Sequence, residues 1–177
     1  MIWRTGLASC AFVGLCAMSA PHVSTTLNRL PTPLPMPYVQ GQSSLDAVSD
    51  AFAKAKAEDK LVILHLGGNW CGWCRILAGV MELPDVKPFV DANFEVVPVE
   101  VSSESGRTDR NNALLQRLGM KKVPSLPWLV VIDPDGKVLA SSSEVTDDRH
   151  QTPQAMVNWL AKFAKRPAAG TAAAGGL

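Results

Sequence analysis

Cys71 and Cys74, in the run Trp70-Cys71-Gly72-Trp73-Cys74, carry the most specific chemistry in the sequence. They follow a short apolar run, LVILHL at residues 61–66, and a Gly-Gly-Asn turn, and they open a stretch with helical patterning. A C-x-x-C pair at a strand-to-helix junction is the context of a redox pair. Free amides at a helix N-terminus favour a nearby anion and lower the pKa of a thiol placed there. Cys71 is therefore expected to be the exposed thiolate nucleophile. Cys74, one turn further into the helix, is expected to be shielded and to resolve a mixed disulfide. Gly72 is expected to let the backbone turn tightly between the sulfurs. A purely structural disulfide closing so short a loop would contribute only about 2 kcal/mol in the chain-entropy model. Zinc asks for about four ligands, and there is no second cysteine pair, so no metal is expected. Covalent haem attachment asks for a histidine after the second cysteine, where this chain has Arg75.

Such a pair needs a frame to hold it. Leu45, Val48, Phe52 and Ala55 recur at helical spacing, with Ser43 and Asp46 placed to cap the start. Residues 61–66 read as a buried strand, and residues 71–81 as a helix that the prolines of 83–88 break or kink. FEVVPVEV at 94–101 reads as a second strand, 109–118 as a helix stopped by Gly119, and 128–132 as a third strand. Residues 133–136, Asp-Pro-Asp-Gly, form a turn into a hairpin partner at 137–141. Thr152 and Pro153 start a last helix whose apolar face holds Met156, Trp159, Leu160 and Phe163. The order α-β-α-β-α-β-β-α implies an α/β fold, a sheet covered by helices on both faces.

The 177 residues allow one ordinary domain with tails. A hydrophobic share of 47% excludes wholesale disorder. Lys and Arg total 17 and Asp and Glu 16. Arg4 is the one charged residue of the first twenty, so the remainder is formally neutral and lacks a basic footprint for nucleic acid. Residues 1–20 have the positive start and uncharged apolar stretch of a signal peptide or N-terminal anchor, with small residues allowing cleavage after Ser19. Both readings put the rest outside the cytoplasm, secreted or periplasmic, where thiols can be oxidised. Residues 21–42, with alternating prolines, read as a linker. The domain is expected over 43–166, and the Ala/Gly-rich 167–177 reads as a disordered tail.

Strand, WCGWC and helix, the second strand, Leu-Pro-Trp before the third strand and the DPDGKVL turn together resemble the thioredoxin superfamily. The likeness covers residues 43–166. It is greatest to secreted bacterial thioredoxin-like proteins with a tryptophan before the first cysteine. The resemblance implies a thioredoxin-like fold with a central mixed sheet and a redox-active Cys71–Cys74 disulfide. It also implies a cis-proline facing the cysteines. Pro124 and Pro127 compete for that place, and Pro127 is preferred because it immediately precedes the strand. Leu126 would then offer its backbone to an extended substrate segment. Where thioredoxin has a buried acid six residues before the first cysteine, this chain has His65. A neutral imidazole there is either a proton acceptor for the second thiol or a packed core histidine. Trp70 is expected to shield the thiols, and Trp73 either to contact protein substrates or to cap the pair. Arg75 and Glu100 read as solvated.

The resulting expectation is a thiol–disulfide oxidoreductase acting on protein disulfides or dithiols. It needs no bound cofactor, and a redox partner resets the pair. The alternative is a non-catalytic binding module on the same fold, with an inert Cys71–Cys74 disulfide.

Overall fold

Strand β1 (Leu61–Gly67) is buried at every one of its seven positions, as a strand with neighbours on both edges and helices on both faces must be. The computed structural model describes residues 20–23, 29–39, 43–101, 111–120, 123–142 and 152–165. The expected signal segment up to Ser19, the Ala/Gly tail and the polar residues 102–110 fall outside them. β1 pairs in parallel with β2 (Phe94–Glu100) and antiparallel with β3 (Trp128–Ile132), and β3 pairs antiparallel with β4 (Val138–Ser141). The sheet is mixed, in the order β2-β1-β3-β4.

Alternation along β1 builds two cores. Leu61 and Ile63 point to one face, where α2 (Gly72–Met81), α3 (Lys87–Asn93) and α5 (Pro153–Ala161) supply Leu77, Val80, Phe89, Val90, Trp159 and Leu160. Val62, Leu64 and Leu66 point to the other, against Val48, Ala51 and Ala55 of α1 (Leu45–Glu58) and Leu114 and Leu115 of α4 (Asn112–Arg117). Each such aliphatic side chain contributes about 1.5–3 kcal/mol when fully buried.

The helix α3 was not foreseen and corrects the expected order. The prolines do end α2, at Met81, but Pro88 is also the second residue of a new helix. At a helix start the missing proline N–H has no partner to lose. Pro98 inside β2 is accommodated because β2 is an edge strand. At the start of α1, Ser43 Oγ accepts from Leu45 N–H at 3.3 Å and Asp46 lies in the first turn, as expected. Ser44 is the N-cap residue and makes no side-chain cap bond, while its backbone N–H donates to Asn111 Oδ1 at 2.9 Å. Gly119, at φ 71°, follows α4 as expected.

The proline-rich segment expected as a linker is packed over residues 29–39. Tyr38 N–H donates to Asn69 Oδ1 at 3.2 Å, and Asn69 Nδ2 donates back to Tyr38 O at 2.7 Å. Arg75 Nη2 and Nε donate to the carbonyls of Leu34 and Pro35 at 2.9 and 3.1 Å. Prolines keep the segment extended, and these bonds strap it across the start of α2. Residues 20–23 are also tied down: Gln154 of α5 accepts from Val23 N and donates to Pro21 O.

Candidate redox site

Cys71 sits at the junction of the Gly67-Gly68-Asn69 turn and α2, as the N-cap residue in an extended conformation. Its Sγ accepts a hydrogen bond from Cys74 N–H at 3.2 Å, so the sulfur occupies the place of a capping oxygen. The two cysteines are joined as a disulfide, their Cα atoms 5.2 Å apart. Cys74 is fully buried, and Cys71, expected to be exposed, is nearly so at 9%, because the segment carrying Tyr38 packs against both. The helix-start amides favour negative charge on the outer sulfur.

Trp73 is 61% exposed and Trp70 38%. Together with Met36 and Val39 on the strap they are four of the six large exposed hydrophobics among the described residues. Trp70 and Trp73 thus flank the cysteines in sequence as exposed apolar side chains. Trp70 lies over Gly68, whose missing Cβ leaves room for the indole. The Leu126–Pro127 peptide bond is cis, immediately before β3, and Leu126 packs against the cluster of Tyr38, Cys71 and Cys74. Pro124 is exposed in the preceding loop.

Gly72 needs correcting. It is the first residue of α2, and a Cβ added there would meet nothing within 4 Å. No tight turn depends on it. The glycine that the site requires is Gly67, where a Cβ would come within 2.5 Å of Tyr38 Oη and 2.7 Å of Cys74 Sγ. The sequence marks Gly67 as part of a turn but not as this point of close approach.

His65 lies on the same face of β1 as Gly67, two residues away, and is 1% exposed. Burial lowers its pKa from 6.5 to about 3, so the imidazole is neutral. Its ring is 5.3 Å from that of Tyr38, and its Nε2 has no hydrogen-bond partner among the described residues. Packed it is; hydrogen-bonded at Nε2 it is not. Tyr38 itself was missed. It is 2% exposed, closes the inner side of the disulfide, and has its pKa raised by burial. Its signal in the sequence is faint, the sole tyrosine of the chain within a proline-rich stretch. Arg75, read as solvated, instead holds the strap.

A profile of the thioredoxin-like domain matches residues 48–148, more than half of the chain. The chain belongs to the thioredoxin-like family. Among solved structures 28 chains match. The disulphide isomerase from Xylella fastidiosa Temecula1 is 30% identical with a TM-score of 0.62, over 73% of this chain and 97% of that one. The redox protein from Chlamydomonas reinhardtii shares the fold at 14% identity and a TM-score of 0.52, over 75% of this chain and 39% of its own. A DsbH oxidoreductase is 26% identical over 62% of this chain and 75% of its own, with a TM-score of 0.42. No curated protein sequence matches. In this chain a mixed sheet carries the cysteine pair at a strand-to-helix junction. Among the described residues, no helix is long and apolar enough to cross a membrane.

Proposed function

We propose that the chain is a thiol–disulfide oxidoreductase that works outside the cytoplasm on protein disulfides or dithiols. The observation that carries this reading is Cys71 at the N-cap of α2, its Sγ already accepting the Cys74 amide. That geometry stabilises a Cys71 thiolate. The thiolate attacks a substrate disulfide, forming a mixed disulfide and releasing one substrate thiolate. Cys74 thiolate then attacks Cys71 Sγ, closing the Cys71–Cys74 bond and releasing the second. The substrate gains two electrons and the pair loses them; the reverse sequence oxidises a dithiol. The electrons reside in the cysteines, so no bound cofactor is called for, and a partner thiol or disulfide resets the pair. The 30% identity to a disulphide isomerase supports the same chemistry. Residues 1–20, read as a signal peptide or N-terminal anchor, support the compartment.

The test is equilibration of the full chain with glutathione redox buffers, followed by alkylation and mass spectrometry of residues 61–75. Exchange at a defined potential supports an oxidoreductase. A value near −270 mV marks a reductant, and one nearer −120 to −180 mV an oxidase or isomerase, on the order of thioredoxin and of DsbA and protein disulfide isomerase respectively. The low exposure of both sulfurs under Tyr38 favours the second reading, a binding module with an inert disulfide. A pair that never exchanges would establish that instead.

A further inference from the structure

The buried side of the disulfide holds a hydroxyl with nothing to bond. Tyr38 Oη has no hydrogen-bond partner among the described residues. An unpaired buried polar group is destabilising, so its presence points to a state in which it is paired. The group beside it that changes state is Cys74. Tyr38 packs against Cys71 and Cys74. Its Oη and the Cys74 Sγ both crowd the point where a Gly67 Cβ would stand, at 2.5 and 2.7 Å. The two atoms are no farther apart than those two distances together.

Opening the disulfide leaves Cys74 Sγ as a thiolate with no exposure to solvent. An unpaired buried anion is strongly disfavoured, and a charge-assisted hydrogen bond relieves it. Among the neighbouring groups, Cys74 N–H serves Cys71 Sγ. His65 is neutral and brings no positive charge; its Nε2 is unpartnered too among the described residues, but Tyr38 Oη, not His65, is the polar atom beside Cys74 Sγ at the Gly67 Cβ position. The Arg75 guanidinium is bonded to the Leu34 and Pro35 carbonyls. Lys54, Lys60, Glu82, Asp91 and Glu95 share a groove with His65, and there Lys54 and Lys60 pair with Glu95, while Lys87 pairs with Glu82 and Asp91. The hydroxyl of Tyr38 is left.

We propose that Tyr38 donates the hydrogen bond that holds Cys74 Sγ as a thiolate whenever the Cys71–Cys74 bond is open, making the strap a positioning element of the redox site. This rests on the oxidoreductase reading above. When an incoming thiolate bonds to Cys71 Sγ, the disulfide breaks and its electron pair stays on Cys74 Sγ. Tyr38 donates a hydrogen bond and transfers no proton. In reverse, the same thiolate attacks Cys71 Sγ, and the departing sulfur takes the electron pair.

The test mixes the reduced full-length chain with glutathione disulfide, quenches in acid at successive times and follows the peptide of residues 61–75 by mass. Glutathione first adds at Cys71, and Cys74 then expels it. Tyr38→Phe keeps the ring and loses the hydroxyl. The expected result is an unchanged first step and a closing step slowed about tenfold or more near neutral pH, the size of a lost hydrogen bond to a charged group. The glutathione adduct then accumulates, and the deficit shrinks as rising pH ionises Cys74 without help. A closing step with an unchanged rate and pH profile overturns the assignment, and so does an equal slowing of both steps, the mark of a merely structural role. A wild-type chain that does not react with glutathione disulfide overturns the oxidoreductase reading itself, and the Tyr38 assignment with it.

Discussion

The two sides of the disulfide are built from opposite materials. Outward, Trp70 and Trp73 beside Cys71 in the sequence, and Met36 and Val39 beside Tyr38 on the strap, are apolar and exposed, and the Cys71 sulfur is held at the start of a helix. Inward lie Tyr38, His65 and Gly67 around a Cys74 sulfur with no exposure, and polar atoms of Tyr38 and His65 have no partner among the described residues. An exposed apolar rim suits contact with extended polypeptide. A closed pocket with idle polar atoms suits a charge that appears and disappears. One helical turn thus separates a sulfur at the helix start from one with no exposure.

This contrast is most severely tested by removing each sulfur. Cys71→Ser is expected to abolish reduction or oxidation of a protein substrate in a turnover assay. Cys74→Ser is expected to leave attack intact and to trap substrates as mixed disulfides on non-reducing gels. Turnover by Cys71→Ser would reverse the two roles.

The next largest effect concerns the inner side and pH. His65 has a folded pKa of about 3 against 6.5 for an unperturbed histidine. Below 6.5 the unfolded chain therefore takes up a proton that the folded chain refuses. The stabilisation is complete above 6.5 and is lost as pH falls towards 3, at about 1.4 kcal/mol per unit. Urea unfolding near pH 4.5 should show about 2–3 kcal/mol less stability than near pH 7 from this group. His65→Leu should flatten that part of the profile; an unaltered slope would show that His65 does not carry it.

A glycine pair sharpens the comparison further. Gly67→Ala forces a Cβ into Tyr38 and Cys74 and should cost about 1–3 kcal/mol in denaturant unfolding. Gly72→Ala, on the outer side at a helical position with open space, should be neutral or stabilising by up to about 1 kcal/mol. Equal costs would mean that the two sides are packed alike. The smallest effect is expected on the rim, where Trp73→Ala should leave stability within about 0.5 kcal/mol and lower turnover of a protein substrate more than of glutathione. Equal losses on both substrates would remove Trp73 from polypeptide contact.

What the sequence disclosed follows the same division. Periodicity revealed β1, β2 and β3 and the helix behind the cysteines because each is a local pattern of apolar residues. The break after Met81 was legible from proline chemistry, but α3 was not, since proline ends one helix and begins another equally well. The inner side was nearly silent. An extended proline-rich stretch reads as a linker until Asn69 and Arg75, more than thirty residues away, tie it down. Gly67 and Gly72 look alike in sequence. Their difference depends on what stands opposite each Cβ, and that is set by tertiary packing.

The edges of the sheet bear on how the chain fares in a crowd. An uncovered edge strand is a template on which foreign chains can stack into insoluble fibres. β2 carries Pro98 in its interior, which denies an incoming strand one donor, and Lys54 and Lys60 clamp Glu95 on the same strand. At the opposite edge β4 is only four residues long. Both edges of the sheet are thereby poor templates for co-precipitation with unfolded chains.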